Sequence, residues 1–564
     1  MNENREVVHM ARTVAIGVQD FETLIENDSF YIDKTGLIKE WWDSRDAVTL
    51  ITRPRRFGKT LNMSMLERFF SIKYQGRSEI FEHLDIWKDE KYQELQGTYP
   101  VLFLSFAGIK QRDYPSTKRA ICQILVDLYA QFDYLRTSDI LTDSERKYWN
   151  RLSADMDEVD ASIAIRSLCN YISRYYGRKA IVLLDEYDTP LQEAYVYGYW
   201  EELVAFTRAL FNNTFKTNLY LERAVMTGIT RVSKESMFSD LNNLNVVTMA
   251  SNEDASYFGF TETEVFAAMD EFGLANKEEV KAWYDGFTIG DQRDIYNPWS
   301  IISFLDKQQL KTYWANTSSN GLVGTLIQTG NRNIKMQFED LLQGQSIHSV
   351  IDDEMVFSQL DESDESAVWS LLIASGYQKV VEIQGDIYEL ELTNYEVRKM
   401  FETMINGWFR KNSADYNDFI KSLLCADLES MNEYMAQVAE SMFSSFDSGE
   451  KPSTRTPERF YHGFVLGLLV DLRGRYEILS NRESGFGRYD VMLKPLDQTD
   501  DGIILEFKVY NPKKEKDLEE TVQAALQQIH DKKYEQTLLD QGVGKDRIRK
   551  YGFAFRGKEI LIGS

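Results

Sequence analysis

The fold is decided by the stretch LITRPRRFGKTLNMSML at residues 50–66. An apolar run ends at Thr52, an arginine-rich loop containing Gly58 follows, and apolar residues at helical spacing come after Lys59. In this order of strand, loop and helix, the backbone amides at the helix start can cradle a phosphate group. The stretch therefore predicts a phosphate-binding loop at the carboxyl end of a buried strand.

Four short apolar runs predict buried strands around this loop. They are VTLIT at 48–52, VLFLSF at 101–106, AIVLL at 180–184 and AVMTGI at 224–229. Long segments with helical spacing separate them, which is the alternation typical of a parallel sheet with crossover helices. Residues 1–250 are therefore predicted to be an α/β domain of the P-loop type.

The loop departs from the usual GxxxxGK[ST] pattern because Arg53 stands in the place of the first glycine. The Lys59 ammonium is expected to bridge the terminal oxygens of a bound phosphate chain, and the Thr60 hydroxyl to complete a Mg²⁺ shell. The expected ligands are ATP and Mg²⁺. The predicted nucleotide-binding residues are Arg53, Arg55, Arg56, Phe57, Gly58, Lys59, Thr60, Leu61, Asp185 and Thr227.

A second motif, IVLLDEYD at 181–188, ends an apolar strand with two carboxylates. Asp185 is predicted to hold Mg²⁺, and Glu186 to orient and deprotonate the attacking water. In AVMTGITRV at 224–232, Thr227 is a candidate sensor of the γ-phosphate, and Arg231 either neutralises transition-state charge or forms an ordinary surface or interdomain ion pair. If Arg231 acts across a subunit interface, the protein forms a ring or a dimer.

The C-terminal region predicts a second site. Asp490 begins one predicted strand, and Glu506 and Lys508 alternate along another, GIILEFKVY at 502–510, so their side chains point to one face. Two carboxylates at one place bind a divalent ion that activates water against a phosphodiester. The predicted catalytic residues of this region are Asp490, Glu506, Lys508, Glu458 and Gln528, and Asp490 and Glu506 are the predicted metal ligands.

The remaining segments complete a four-part organisation. Residues 251–345 predict a helical small domain or lid, and the order of helix, hairpin and helix in residues 346–450 is similar to a winged helix, interpreted as a connector. The polar stretch SSFDSGEKPSTRTPE at 444–458 predicts a linker. A nuclease-like α/β domain is expected at 455–564.

Composition narrows the function classes. The net charge of −25 disfavours bulk attraction to nucleic acid or to an anionic membrane, so any DNA or RNA contact requires a local basic patch. Three cysteines without a CxxC pair predict neither a disulfide framework nor a zinc site. No apolar window has the length of a signal peptide core or a membrane-spanning helix, so a cytoplasmic protein without membrane contact is expected.

Five motifs together resemble a known family. They are YIDKTGLI at 31–38, RPRRFGKT at 53–60, LLDEYD at 183–188, TGITRVSKESMFSDLNN at 227–243, and YDGF with YNPWS within 284–300. They are similar to the AAA-ATPase-like family of bacterial proteins, in which the arginine-rich loop is the usual form. Members commonly carry a C-terminal domain of the PD-(D/E)XK nuclease superfamily, and Gln528 and Tyr534 resemble the Gln…Tyr element of one of its branches. The resemblance implies ATP hydrolysis and a metal-dependent nuclease acting on DNA or RNA.

Three hypotheses follow. The first is an ATP-dependent enzyme that processes nucleic acid, and it accounts for both residue sets. The second is a nucleotide-gated switch of the STAND type whose nuclease-like domain is inactive and binds a partner, which the acidic charge favours. The third is a structural interaction protein with vestigial sites, which the completeness of both residue sets disfavours.

Overall fold

A computed structural model of the 564-residue chain describes most of its length. The described residues are 12–230, 238, 241–314, 323–324, 326–327, 332–351, 364–410, 416–443, 465, 469, 472, 475–480, 483–484, 487–488, 491–497, 500–556 and 559–564. Three predicted site residues, Arg231, Glu458 and Asp490, lie outside the described residues, as does the predicted linker 444–458.

The chain forms two compact units. The first comprises residues 1–323 and 344–398, and the second comprises residues 324–343 and 399–564. The predicted connector 346–450 is thus divided between the two units at residues 398 and 399. The finer division into four domains stays a prediction.

The first unit is built on a five-stranded parallel sheet in the order β2-β3-β4-β1-β5. Its strands are β1 (Val48–Thr52), β2 (Val101–Ser105), β3 (Ala180–Asp185), β4 (Leu221–Gly228) and β5 (Leu244–Val247). The helices up to β4 are α1 (Phe21–Glu26), α2 (Gly36–Ser44), α3 (Lys59–Phe70), α4 (Glu90–Gln93), α5 (Tyr114–Ala130), α6 (Asp143–Arg151), α7 (Glu158–Ser162), α8 (Ala164–Tyr176), α9 (Thr189–Tyr197) and α10 (Trp200–Phe215). Four short 3-10 turns, Ile72–Tyr74, Ser78–Ile80, Asp85–Lys88 and Asp133–Thr137, lie between them.

This sheet confirms the predicted α/β fold. Every residue of β1 and of β3 is buried, as expected for strands covered on both faces. Helix α3 buries Met65, Leu66 and Phe69 in the same core as Ile51 of β1. The helical spacing seen after the phosphate loop is therefore the core-facing side of α3.

The rest of the first unit is mixed. Strands β6 (Phe260–Thr261), β7 (Phe287–Ile289) and β8 (Gln292–Tyr296) form an antiparallel sheet, together with helices α11 (Glu262–Glu271), α12 (Lys277–Tyr284) and α13 (Pro298–Lys307). Helix α14 (Arg332–Leu342) belongs to the second unit. Strand β9 (Ile347–Val350), helix α15 (Glu365–Ala374), and the hairpin of β10 (Gln378–Gln384) and β11 (Ile387–Leu392) follow in the first unit. Helix α16 (Tyr395–Arg410) begins in the first unit, and its residues from 399 onward belong to the second. The predicted hairpin is present, and β9 extends it to three strands.

The second unit has a mixed sheet in the order β12-β15-β16-β17-β18. Its strands are β12 (Tyr476–Ser480), β15 (Val491–Pro495), β16 (Gly502–Val509), β17 (Ile548–Arg556) and β18 (Glu559–Gly563), with a small hairpin of β13 (Glu483–Ser484) and β14 (Gly487–Arg488). Strands β16 and β17 are parallel, and the other pairs of the sheet are antiparallel. The helices are α17 (Tyr416–Cys425), α18 (Leu428–Phe443), α19 (Leu518–Asp531) and α20 (Gln536–Leu539), with a 3-10 turn at Lys545–Arg547.

Helix α19 packs against β16, the middle strand of this sheet, and against its neighbour β17. Among the described helices, none combines the length and the apolar character needed to cross a bilayer.

Candidate nucleotide-binding and nuclease-like sites

The sheet order brings the two predicted ATPase motifs together. Strand β4 lies between β1 and β3, so the carboxyl ends of all three strands are neighbours. The Thr60 hydroxyl donates to Asp185 Oδ2 at 2.8 Å, and the Thr227 hydroxyl donates to Asp185 Oδ1 at 2.5 Å. Asp185 is fully buried, and this burial raises the pKa of its carboxyl. The structure thus places a hydroxyl and a carboxylate side by side, which is an oxygen donor set that suits Mg²⁺.

Lys59 lies inside the loop that precedes it. Its Nζ donates to the backbone carbonyls of Arg53 and Pro54, both at 2.9 Å. Burial lowers the pKa of Lys59, and the nearby carboxylates of Glu186, Asp188 and Asp185 act in the opposite direction. The ammonium group is therefore positioned among the acidic residues of the second motif.

Gly58 is the N-cap of helix α3 and has a left-handed conformation, with φ of +82°. A Cβ at this position would meet no atom within 4 Å, so the requirement for glycine comes from the backbone and not from packing. The loop turns here so that Lys59 and Thr60 become the first residues of the helix. Helix starts of this kind present unpaired amides to an anion.

Arg53, one of the predicted nucleotide-binding residues, has its side chain directed at the protein backbone and is not among the described residues that line the cavity of Lys59 and Thr60. Its guanidinium is fully buried and donates to four backbone carbonyls, those of Thr52 at 2.9 Å, Val247 at 3.2 Å, Thr248 at 2.8 Å and Glu253 at 3.1 Å. Its backbone amide donates to the Gly228 carbonyl. Because these donors are committed to the protein, Arg53 fastens the loop to the segment after β5.

The other two arginines of the loop, Arg55 and Arg56, line the cavity of Lys59 and Thr60. Arg55 donates to Gln192 Oε1 at 3.1 Å, and the Arg56 guanidinium lies over the Trp299 ring, 4.4 Å from its centroid. Arg55, Arg56 and Trp299 all line the same cavity. The arginine-rich loop therefore supplies two cationic side chains to the wall of this cavity.

Glu186 follows Asp185 in a left-handed conformation, with φ of +52°. Its carboxylate accepts from the Thr189 hydroxyl at 3.1 Å, and its amide donates to the Thr227 hydroxyl at 3.2 Å. A non-glycine residue in this region of backbone space is strained, and such strain is frequent at functional sites. The turn directs Glu186 to the cavity that Lys59 and Thr60 also line.

Sequence reasoning missed Asp188, the second aspartate of the same motif. It is 1% exposed and accepts from the amides of Ile229 and Thr230, at 2.9 and 3.1 Å, and from Gln192 Nε2 at 3.0 Å. Burial raises the pKa of its carboxyl. Asp188 therefore anchors the chain that follows β4, and the DEYD spacing was the available signal.

A cavity of about 410 Å³, a size within the range of small-molecule sites, is lined by Lys59, Thr60 and Glu186. Asp185 and Thr227 are not among the described residues that line it, and Asp185 is joined to it through the Thr60 hydroxyl. Lys34 and Lys110 add further positive charge to its wall, and Pro298 with Trp299 contributes an apolar side. Of the remaining predicted nucleotide-binding residues, Phe57, Gly58 and Leu61 also line it, but the Phe57 ring packs on Phe287 with centroids 4.8 Å apart.

Two further motifs of the sequence support this cavity. Lys34 of YIDKTGLI donates to both carboxylate oxygens of Glu264 at 2.7 Å, joining the start of the chain to α11. Asn297 of YNPWS caps α13 through the amides of Trp299 and Ser300, and its side chain donates to the Arg55 carbonyl at 3.3 Å. These contacts hold Trp299 against the loop.

The second site lies on β16 in the C-terminal unit. Glu506 is 2% exposed, and Gln528 on α19 donates to its carboxylate. The Lys508 ammonium donates to Gln528 Oε1 at 2.6 Å, and Gln528 Nε2 lies 3.4 Å from the Tyr534 hydroxyl. The structure thus joins four of the residues singled out from the sequence through one glutamine side chain.

Strand pairing locates the residue that follows Asp490, the fifth predicted residue of this site. Val491, the first residue of β15, is the register partner of Leu505, which precedes Glu506. Asp490 and Glu458 themselves lie outside the described residues, so their part in this site stays a prediction.

Two family models match this chain, one in each of the two regions described above. Residues 15–238 match a family described as predicted AAA-ATPase, and residues 456–564 match the PD-(D/E)XK nuclease superfamily. A protein of Azotobacter chroococcum mcd 1, named "Uncharacterized protein in vnfD 5'region", is 25% identical over 394 residues, which are 69% of this chain and 68% of that protein.

A solved structure also matches this chain, at a lower sequence identity. It is a Signal Transduction ATPase with Numerous Domains (STAND) protein with a tetratricopeptide repeat sensor from Pyrococcus horikoshii, at 12% identity and a TM-score of 0.25. The match covers 81% of this chain and 54% of that one, so the chain spans about half the length of this structure. By its family matches, the chain combines an AAA-ATPase-like domain at residues 15–238 with a C-terminal domain of the PD-(D/E)XK nuclease superfamily at residues 456–564.

Proposed function

We propose that the first unit binds ATP with Mg²⁺ and hydrolyses it. The observation that carries the proposal is the 2.8 Å hydrogen bond from the Thr60 hydroxyl to Asp185 Oδ2, which joins two motifs 125 residues apart in the sequence. Thr60 and Asp185 would hold Mg²⁺ directly or through water, and the amides at the start of α3 would face the phosphates. Thr227, which already donates to Asp185, would keep that carboxylate oriented.

The charges of the cavity fit a triphosphate. Lys59 and Arg55 would offset phosphate charge, and Glu186 would accept the proton of the attacking water. When bound, Mg²⁺ would neutralise phosphate charge and polarise the phosphoryl oxygens. The apolar side at Pro298 and Trp299 would receive the base of the nucleotide.

Two variants separate binding from hydrolysis. Lys59→Ala should abolish ATP binding measured by calorimetry, because it removes the cation at the loop. Glu186→Gln should keep ATP binding and lose phosphate release by about a hundredfold or more, as expected on removal of a general base. Lys73→Ala is the matched control, because the Lys73 ammonium bonds Gln131 at the exposed surface. Normal hydrolysis by Lys59→Ala would overturn the assignment.

For the C-terminal unit, the proposed activity is metal-dependent cleavage of DNA or RNA. The residues that support it are Glu506 and Lys508, whose side chains meet at Gln528. With Asp490, Glu506 would hold a divalent ion, and Lys508 would position water or offset charge. ATP binding in the first unit would then control access of nucleic acid to this site.

Cleavage assays with Mg²⁺ and Mn²⁺ test this part. Asp490→Ala and Lys508→Ala should each abolish cutting of DNA or RNA, whereas Lys513→Ala, at an exposed position beyond β16, should leave it unchanged. Cutting that survives in both of the first two variants would reject the nuclease site.

A second candidate function is a STAND-like nucleotide-gated switch with an inactive nuclease-like domain. The net charge of −25 favours it, because a polyanion is repelled by the protein as a whole. A wild-type protein that hydrolyses ATP but cuts neither DNA nor RNA with any metal would decide for the switch.

A further inference from the structure

Two hydrogen bonds meet at the side chain of Gln192, on helix α9. Its Oε1 accepts from Arg55 Nη2 at 3.1 Å, and its Nε2 donates to Asp188 Oδ2 at 3.0 Å. A guanidinium can only donate, and Asp188 Oδ2 also accepts from two backbone amides, so this orientation of the glutamine amide serves both partners. Gln192 therefore joins an arginine of the phosphate loop to an aspartate of the second ATPase motif.

Asp188 is a fixed anchor for this amide. It is buried, and the amides of Ile229 and Thr230 donate to its carboxylate at 2.9 and 3.1 Å. Gln192 lies four residues further along the chain, and its backbone amide donates to the Asp188 carbonyl at 3.0 Å. Residues at this spacing share one face of a helix. The backbone and the side chain of Gln192 are therefore both held by Asp188.

The glutamine holds Arg55 without neutralising its charge. Within the described part of the chain, no carboxylate forms an ion pair with the Arg55 guanidinium, and the amide of Gln192 is uncharged. Burial lowers the pKa of Lys59, and the positive charge of Arg55 acts in the same direction, so the two cations lie near each other. Like charges in a partly buried place repel each other, and an anion between them relieves the repulsion. Arg55 thus stays available to an anion in the cavity that it lines together with Lys59.

The helix that carries Gln192 also fixes the side of the cavity on which Arg55 lies. Helix α9 begins at Thr189, whose hydroxyl donates to Glu186 Oε2 at 3.1 Å, and Gln192 follows within the first turn. Arg55, Glu186 and Gln192 all line the cavity. Arg55 is therefore on the side of the residue that would accept the proton of the attacking water.

We propose that Gln192, anchored on Asp188, is a positioning residue that directs the Arg55 guanidinium at the terminal phosphate of bound ATP. This inference rests on the proposed ATPase function and adds a residue to it. A cation held in this place before the reaction offsets the charge that develops on the phosphoryl oxygens in the transition state. Gln192 itself acts only through Arg55, so its contribution should disappear when Arg55 is removed.

A double-mutant cycle on the full-length chain tests the proposal. ATP hydrolysis is measured for the wild type, Arg55→Ala, Gln192→Leu and the double variant, and ADP affinity is measured by calorimetry. Gln192→Leu should lower kcat about tenfold or more while KM changes less than about threefold. Its ADP affinity should stay within about twofold of the wild type, because ADP lacks the terminal phosphate. In the Arg55→Ala background, Gln192→Leu should lower kcat by less than about twofold further.

Gln123→Leu is the matched control, because Gln123 Nε2 donates to Asp127 at 2.7 Å in an exposed pair one turn apart on α5, and this variant should hydrolyse ATP normally. Gln192→Ala replaces Gln192→Leu if the latter does not fold. The positioning role is overturned if Gln192→Leu has the kcat of Gln123→Leu, or if it lowers kcat as much in Arg55→Ala as in the wild type. A wild type that does not hydrolyse ATP would overturn the proposed function, and the positioning role with it.

Discussion

Replacement of Arg53 by glycine restores the usual first glycine of the loop, and it should nevertheless destabilise the protein. The buried guanidinium makes four hydrogen bonds to carbonyls of the loop and of the segment after β5. At about 1.5 kcal/mol for each bond to a charged group, these contribute about 6 kcal/mol.

Burial of the cation works against this gain. It lowers the pKa of Arg53 from 12.5 to about 10, which corresponds to about 3 kcal/mol. The net loss on Arg53→Gly is therefore about 3 kcal/mol, a large part of the stability of an ordinary domain. ATP affinity of the folded variant should change by less than about threefold, because the side chain does not face the cavity.

Urea unfolding of the full-length chain, followed by tryptophan fluorescence, measures the free energy of unfolding, and calorimetry measures ATP affinity. Arg178→Gly is the control, since Arg178 is exposed, donates to the Thr98 carbonyl and lies over the Tyr99 ring, 4.8 Å from its centroid. It should cost less than about 1 kcal/mol. Unchanged stability of Arg53→Gly, or lost ATP binding in its folded state, would refute this account of the loop.

Two further outcomes are expected. Burial, with Glu40 nearby, raises the pKa of Asp254 from 3.8 to about 7, so the folded chain keeps a proton that the unfolded chain releases, and stability should fall as pH rises from about 4 to about 7. At pH 8 the Asp254→Asn variant should therefore be more stable than the wild type, by at most about 4 kcal/mol. Equal melting temperatures of the two proteins at pH 8 would contradict this. Gln528→Leu should lower the free energy of unfolding by about 1–3 kcal/mol, because Glu506 loses a hydrogen-bond donor. The control Gln527→Leu affects only the exposed hydrogen bond to Asp531 and should change this free energy by less than about 0.5 kcal/mol. Equal effects of the two variants would argue against the network at Gln528.

Much of the fold could be predicted because it depends on local patterns. The buried strands β1 and β3 are continuous apolar runs, and the loop between β1 and α3 follows from the order of strand, Gly58 and Lys59. The contact of both Glu506 and Lys508 with Gln528 agrees with the predicted placement of the two side chains on one face, because alternate residues of a strand share a face.

The parts that could not be predicted depend on long-range contacts. Nothing local to Arg53 indicates that its side chain reaches carbonyls about 200 residues further along the chain. Similarly, Trp299 and Lys34 reach the cavity only through tertiary packing. Their motifs were visible in the sequence, but the contacts that explain them are set by the assembled sheet and the small helices around it.

We propose that Thr60 and Asp185 act on one Mg²⁺–ATP. A double-mutant cycle tests it, with ATP hydrolysis measured at increasing Mg²⁺ for the wild type, Thr60→Val, Asp185→Asn and the double variant. If the two residues share the ion, each single variant should lose the Mg²⁺-dependent rate, and the double variant should be little worse than the poorer single one. Losses that multiply in the double variant, or a Mg²⁺ dependence unchanged in either single variant, would contradict the account.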